Sequence, residues 1–304
     1  MENKKPIRLK TISEFHASRG LPPPEHPLIS VIDFGKVPRA KSNDSWIFDF
    51  YQIALKRGID FKMKYGQKEY DFDDGVMGFI APNQVFKIDI EVNATNNRSG
   101  WMLLVHPDFL WNTQLAKTIK QYEYFSYSIN EALFLSEKEE KILNNIITNI
   151  QQEYHANIDQ FSKQIIIAQI EALLAYGERF YNRQFITREK SNHQILESLE
   201  KLLSNYFQSD DLISKGLPTV HDIAGNLNIS PKYLSSLLKI LTGQSTQHHI
   251  HNKLIEVAKE KLSITNLSVS EIAYELGFEH SQSFSKLFKE KTGQSPLEFR
   301  LGFN

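Results

Sequence analysis

The chain has 304 residues and no cysteine, and 41% of its residues are apolar or aromatic. That length suits two domains, each large enough to bury a core of its own. The missing cysteines exclude disulfides, thiol nucleophiles and cysteine–metal sites, and they fit a reducing compartment. Lysine plus arginine number 35 against 36 acids, so net charge gives no sign of a nucleic-acid partner.

Neither a membrane span nor a secretory signal is visible in the sequence. No apolar run approaches the roughly 18 residues that a membrane helix needs. The charged residues near the N-terminus have no apolar segment behind them. The sequence therefore predicts a cytoplasmic protein with no membrane partner.

Residues 1 to about 130 consist of short apolar runs separated by turn-like clusters. The runs are Leu28–Phe34, Trp46–Leu55, Val76–Ile80, Val85–Ile90 and Trp101–Val105. Strands at such short spacing indicate an antiparallel sandwich or barrel.

The pattern becomes helical near Ser136. Apolar residues at helical spacing predict helices over Glu137–Tyr154 and Phe161–Tyr181, and Ser136 with Glu139 forms a capping box at the first. These helices could cover the sheet, or they could supply a dimer surface, because residues 165–167 are apolar nearly all round. The polar stretch Thr187–Asn192 is interpreted as a joint between domains.

The last third of the chain contains an internal repeat. Asp222-Ile223-Ala224-x-x-Leu227 returns 49 positions later as Glu271-Ile272-Ala273-x-x-Leu276, and Thr242-Gly243-Gln244-Ser245 returns after 50 positions as Thr292-Gly293-Gln294-Ser295. Each copy has the layout of a helix-turn-helix. Its first helix is predicted to begin after the acid, its tight turn to use Asn228 or Gly277, and its second helix to stop at the glycine.

Residues from about 193 to 301 resemble the AraC/XylS family of bacterial transcription regulators. The strongest match is Ile272-Ala273-x-x-x-Gly277-Phe278, Phe284-Ser285-Lys286-x-Phe288-Lys289 and Gly293-x-Ser295-Pro296-x-x-Phe299-Arg300. The first copy matches through Tyr233-Leu234-Ser235 and Gly243-x-Ser245, and a connecting helix is expected over about His248–Leu262. Lys253, Leu238 and Ser236 depart from the arginine, phenylalanine and arginine that are common there. These departures make the first copy less cationic.

The resemblance implies that the second helix of each copy enters the major groove of double-stranded DNA. By helical position, the residues that face outward are Lys232, Ser235, Ser236 and Lys239 in the first copy, and Ser281, Gln282, Ser283, Lys286 and Lys289 in the second. Tyr233 is ambiguous: it fits the buried stripe, and it is also kept as a DNA-binding candidate. Gln282 is the expected base reader, since an amide pairs with adenine.

Charge is unevenly distributed within this region. No acid occurs between Asp222 and Glu256, whereas three lysines and three histidines do. The histidines could add positive charge near phosphate. His248 and His251 share a helix face at a spacing that metals use, but no acid or cysteine completes a site, so no metal and no other cofactor is expected.

The resemblance also implies that a sensing half, often a cupin-like barrel, precedes the DNA-binding half. An aromatic-lined barrel would offer a pocket for a small-molecule effector. The ligand-binding candidates are Trp46, Phe48, Tyr51, Phe79, Phe86 and Trp101.

The predicted fold class is α+β. A β-rich cupin-like sensor domain (1–135) would carry a helical dimerisation and linker region (136–190), followed by an all-α domain (191–304) whose two helix-turn-helix units are joined by a long helix. The predicted function is a homodimeric transcription regulator, and an activator would also contact RNA polymerase. No catalytic motif is present. The alternatives are a cupin-type enzyme with a DNA-binding tail and a dimeric DNA binder without an effector.

Overall fold

The computed structural model describes residues 6–38, 45–57, 64–65, 68–69, 75–87, 98–127, 131–155, 161–187, 189–209, 212 and 215–302. The chain forms two compact units, Met1–Gln184 and Phe185–Asn304. The functions assigned above to residues 1–135, 136–190 and 191–304 stay predictions.

The first unit combines short strands with four helices of α type among its described residues. The strands are β1 Ile7–Leu9, β2 Ile29–Asp33, β3 Ser45–Phe48, β4 Tyr51–Arg57, β5 Lys64–Tyr65, β6 Lys68–Glu69, β7 Gly75–Ile80, β8 Val85–Lys87, β9 Ser99–Val105 and β10 Leu133–Leu135. The helices are α1 Ile12–Ser18, α2 Leu115–Thr118, α3 Glu137–His155 and α4 Ser162–Thr187, and the last three residues of α4 belong to the second unit. Each of the five predicted apolar runs contains strand residues, although residues 88–90 of one run lie outside the described residues.

The strands form a five-stranded antiparallel sheet in the order β10-β7-β4-β9-β2, a three-stranded sheet β1-β3-β8, and the pair β5-β6. In the three-stranded sheet β1 and β3 are parallel, so the expected all-antiparallel arrangement is wrong at that point. Among the described residues no sheet closes on itself, and a cupin-like barrel is therefore not confirmed.

The two faces of the five-stranded sheet have different neighbours. On one face, Trp101 of β9 donates its indole N–H to Asn144 of α3 at 2.8 Å, and Phe79 of β7 packs against Tyr181 of α4. The other face belongs to a buried apolar cluster with the three-stranded sheet and α1, in which Ala54 lies near Phe48 and Phe15. The first unit is thus layered as helices, sheet, core and second sheet.

Helix α3 is fixed at its start by two carboxylates. Ser136 and Glu139 form the predicted capping box, with Glu139 accepting the Ser136 N–H at 2.9 Å. The next residue, the buried Glu140, accepts the Gly75 N–H at 2.8 Å and pairs with Arg57 at 2.8 Å. These bonds attach the N-terminal turn of α3 to the sheet.

The second unit is helical throughout its described residues. Its helices are α5 Glu189–Gln208, α6 Val220–Asn226, α7 Pro231–Thr242, α8 Thr246–Ile264, α9 Val269–Glu275, α10 Ser281–Thr292 and α11 Pro296–Leu301. The predicted polar joint at Thr187–Asn192 is wrong in detail, because α4 ends at Thr187 and α5 has already begun at Glu189. The helix-forming lysine and glutamate of this stretch favour the helix despite their polarity. No helix of the described residues is long and apolar enough to cross a membrane.

Candidate nucleic-acid interface

Both predicted helix-turn-helix units are present, as α6–α7 and α9–α10. Their first helices begin earlier than predicted, since Thr219 and Ser268 are the N-caps and the acids Asp222 and Glu271 close capping boxes three residues later. Each acid therefore lies in the first turn, where a carboxylate both accepts a cap N–H and suits the positive end of the helix dipole.

The turn and the end of each unit have the predicted backbone. Asn228 and Gly277 are left-handed, with φ of 55° and 79°. Gly243 and Gly293 end the second helices in the same region, with φ of 73° and 80°. The two copies thus repeat their backbone geometry as well as their sequence.

The apolar stripes predicted for α7 (Tyr233, Leu234, Leu237 and Leu238) and α10 (Phe284, Leu287 and Phe288) are buried except at Leu287, which is half-buried. Leu234, Leu237, Leu238, Phe284 and Phe288 are all less than 1% exposed. The structure corrects one DNA-binding candidate: Tyr233 is 2% exposed, and its ring lies 5.0 Å from that of Phe185. Because a buried ring cannot reach a groove, the side chain of Tyr233 belongs to the core.

The polar candidates lie on the opposite side of the same helices. Lys232 and Lys239 of α7 and Gln282, Ser283, Lys286 and Lys289 of α10 are exposed, while Ser235, Ser236 and Ser281 are half-buried. Three positions correspond at an offset of 50 residues: Lys232 with Gln282, Ser236 with Lys286, and Lys239 with Lys289. At spacings of four and three residues, each triplet forms one stripe along its helix. We call these two triplets the matched stripes.

Ser235 differs from the rest of the candidate set. Its hydroxyl lies 3.4 Å from that of Thr246, at the start of α8. The hydroxyl of Ser235 therefore points towards α8 of the same domain and not outward with the matched stripe of α7.

Two histidines of α8, His249 and His251, have pKa values lowered from the ordinary value in the free protein. Burial, and then the neighbouring His248, lowers the pKa of His249. Burial, and then Lys291, lowers the pKa of His251. Lowered pKa values favour the neutral form of these two imidazoles at pH 7.

Sequence reasoning did not place Lys291 beside the histidines of α8. It lies in the last turn of α10, 43 residues beyond His248, and donates to the His248 Nε2 at 3.2 Å. No periodicity within one helix could reveal that neighbour. Across the described ranges, no three histidine, cysteine or acidic side chains lie close enough together to hold a metal ion.

The six ligand-binding candidates of the first unit do not form one site. Tyr51 and Phe79 pack against Phe125, at 5.3 and 5.5 Å, on the sheet face that also bears Trp101. Phe48 is in the opposite core, 1% exposed. Trp46 is half-buried beside that core, and Phe86 is paired with it in register, although the Phe86 side chain lies outside the described residues.

Comparison with known proteins gives a consistent picture of the second unit. A family model described as "Helix-turn-helix domain" matches residues 223–302. The HTH-type transcriptional regulator YfiF of Bacillus subtilis is 32% identical over 143 residues, which are 47% of this chain and 42% of that protein. The raffinose operon transcriptional regulatory protein RafR of Pediococcus pentosaceus is 36% identical over 111 residues, 36% of this chain and 37% of that protein. The similarity thus spans about two fifths of either relative.

Among solved structures, the C-terminal domain of AraT, a response regulator from Geobacillus stearothermophilus, is 31% identical. The match covers 36% of this chain and 84% of that one, with a TM-score of 0.32. The family match covers α7–α11, the helices that carry both matched stripes. The C-terminal part of this chain is a helix-turn-helix domain of the AraC type.

Proposed function

We propose that this protein is a sequence-specific, DNA-binding transcription regulator. The observation that carries the proposal is the pair of matched stripes, which occur at equivalent positions of two duplicated helix-turn-helix units. A solvated helix face needs no such repetition. A protein that reads two successive major grooves, about 34 Å apart, does need two similar reading helices.

The stripes divide into base-reading and phosphate-binding groups. The amide of Gln282 can donate to and accept from one adenine edge, which gives it sequence information. Lys239 and Lys289, one turn before the glycine caps, suit phosphate contacts that set the register of the helix in the groove. Lys286 lies between Gln282 and Lys289 on α10, and it can contact either guanine or phosphate.

The test is a gel shift and footprint on the promoter beside the protein's own gene. We expect protection of two segments about one helical turn apart. The double variant Gln282→Ala/Lys286→Ala should lose the specific complex. Lys201→Ala removes an exposed lysine of α5 that is in neither stripe, and it should bind like the parent. Unchanged binding by the double variant would contradict the proposal.

The electrostatic attraction between the second unit and the DNA phosphates should be weak. The 11 basic side chains of residues 191–304 are balanced by 12 acids. Because each phosphate contact releases about one counterion, few lysines should give a shallow dependence on salt. A log–log salt titration with a slope steeper than about −8 would refute this.

The first unit is proposed to sense a small molecule and to dimerise, and the regulator to act by recruiting RNA polymerase. Helix α4 supports the dimer: Ile165, Ala168 and Ala175 are exposed and Ala172 is half-buried, at spacings of three and four residues. This apolar stripe permits a second helix to approach closely. Sedimentation analysis should show a dimer that Ala168→Glu dissociates and that Gln164→Glu, also exposed, leaves intact.

A further inference from the structure

Lys56 of β4 carries an amino group in apolar surroundings. Its side chain is half-buried on the sheet face that bears the apolar core, and its Nζ lies 5.0 Å from the centre of the Phe34 ring. Within the described part of the chain this amino group makes no hydrogen bond and no ion pair with a carboxylate. A ring face attracts a cation but supplies no hydrogen-bond acceptor for its protons. The protonated form of Lys56 is therefore held weakly.

The charges around Lys56 also favour its neutral form. Burial first, and then the charges of Arg19 and Arg98, lowers the pKa of Lys56 from 10.5 to about 8. Arg98 has partners of its own, including the Val37 carbonyl at 3.0 Å, and the effect on Lys56 comes from its position. A lysine that loses its proton near neutral pH is a nucleophile, because only the neutral amine has a free electron pair.

Arg19 supplies a hydrogen-bond donor near this amine. Its guanidinium lies 5.0 Å from the ring of Trp46. Its Nε is buried and donates to no acceptor in the described structure. Because buried N–H groups normally have an acceptor, an oxygen atom of a bound molecule would complete the surroundings of Arg19.

The sheet beside Lys56 has room for the body of a ligand. Ala54 lies two residues before Lys56 on the same face of β4 and pairs directly with Gly78 of β7. A Cβ added to Gly78 would meet no atom within 4 Å. Neighbouring positions of this face carry the buried side chains of Ile80 and Met102, so the open space is local. A small apolar group can lie there, next to the amine.

We propose that Lys56 binds a small aldehyde covalently, as an imine. The amine nitrogen bonds to the carbonyl carbon, and the two amine hydrogens leave with the carbonyl oxygen as water, so the step needs no oxidant or reductant. Arg19 would donate to the carbonyl oxygen while negative charge develops on it, and the body of the aldehyde would lie on Ala54 and Gly78. This inference rests on the sensing role proposed above, and it names the chemical class of the effector and the point of its attachment.

Reductive labelling of the full chain tests the site. Benzaldehyde is the probe, cyanoborohydride reduces the imine to a stable benzylamine, and peptide mass spectrometry locates the label. At about pH 7.5 roughly a quarter of an amine of pKa about 8 is deprotonated, against about one part in a thousand at the ordinary pKa, although the less basic amine attacks more slowly. We therefore expect labelling of Lys56 at least about tenfold faster than that of Lys36, an exposed lysine of the same unit 3.8 Å from Asp33.

The pH dependence and unfolding provide two further readouts. The ratio of the two labelling rates should fall as the pH rises above about 8, because Lys56 is then already deprotonated while an ordinary lysine continues to lose its proton. In a concentration of urea that unfolds the chain, the two rates should become equal, because burial and the neighbouring guanidiniums no longer act on Lys56.

Two variants and a control test the surroundings of the amine. Gly78→Val fills the open space, so it should slow labelling of Lys56 by benzaldehyde at least about tenfold and leave labelling by formaldehyde, which has no body, unchanged. Fast labelling by formaldehyde also shows that this variant is folded. Arg19→Gln removes a positive charge and a donor, so it should slow labelling by both aldehydes. Lys36→Gln should leave the labelling of Lys56 unchanged.

The opposite outcomes are equally clear. Equal rates at Lys56 and Lys36 in the folded chain, a ratio that does not change with pH, or a Gly78→Val variant that slows both aldehydes alike would each overturn the proposal. A chain that labels at Lys56 as described but binds no promoter DNA would sustain this inference and refute the regulator. A chain that protects its promoter but labels no faster at Lys56 than at Lys36 would do the reverse.

Discussion

Three glycines of the second unit allow one substitution, glycine to alanine, to be compared in three environments. Gly225 lies inside helix α6 and a Cβ there would meet nothing within 4 Å. Gly243 caps α7 with φ of 73° and is equally open. At Gly277 φ is 79°, and a Cβ would lie 2.8 Å from the Leu212 oxygen and 3.0 Å from the Gly216 Cα.

The expected free energies of unfolding follow from these surroundings. Gly225→Ala should stabilise the unit by about 0.5–1 kcal/mol, because alanine loses less backbone entropy in a helix. Gly243→Ala should destabilise it by about 1–2 kcal/mol, the cost of a left-handed alanine. Gly277→Ala adds a clash with backbone that cannot move aside, which costs a further 1–3 kcal/mol or so. The total is about 2–5 kcal/mol.

Urea unfolding of the full chain can separate the two units. Trp46, Trp101 and Trp111 are the three tryptophans of the sequence, and all lie in the first unit. Tryptophan fluorescence therefore follows the first unit, while far-ultraviolet circular dichroism also follows the second. The dichroism midpoint should rank Gly225→Ala above the parent, then Gly243→Ala, then Gly277→Ala, at constant fluorescence midpoint. Equal effects of Gly225→Ala and Gly277→Ala would refute the reasoning.

Further substitutions test other parts of the molecule. Gln282→Ala should cost about 1–3 kcal/mol of binding to the cognate site and relax the preference for one base, measured by competition with single-base variants of the site; a uniform loss across all variants would argue against base reading. Glu140→Gln leaves a buried hydrogen bond imperfect and should lower the stability of the first unit by about 1–3 kcal/mol, seen as an earlier fluorescence transition; an unchanged transition would show that the pair with Arg57 is dispensable. Hydrogen bonds from the cap residues hold the pKa of Asp222, Glu271 and Glu298 below the ordinary values of 3.8 and 4.5. Their contribution is complete at neutral pH and is lost as the pH falls through the lowered pKa values, so the dichroism melting temperature should drop in acid, and less so in the Thr219→Val/Ser268→Ala variant.

The second unit could be predicted closely from the sequence because its constraints are local. The left-handed Asn228 and Gly277, the glycine caps and the stripes of α7 and α10 depend on residues within one or two turns. The errors were also local. Asp222 and Glu271 were interpreted as the residues before the helices, whereas Thr219 and Ser268 are the N-caps and the acids are the third helical residues of capping boxes.

The first unit was less predictable because its faces depend on strand pairing. Strand positions followed from the apolar runs, but the sheet face of Tyr51 and Phe79 could not be chosen before the partners of β4 were known. The same holds for three cations of the first unit, because Arg19 and Arg98 act on the charge of Lys56. Lys56, Arg19 and Arg98 are far apart in the chain, and only the packing of α1 and β9 beside β4 brings their charges into one place.

The two reading helices also differ at their starts. Ser230 caps α7 through the Tyr233 N–H and Pro231 follows, whereas His280 at the start of α10 makes no side-chain cap. The first turn of α10 should therefore open more often in solution, and its amide hydrogens should exchange faster than those of α7. The first reading helix would meet DNA as a preformed rod. The second would complete its ordering in the groove, and so adapt to more than one base sequence at the cost of some affinity.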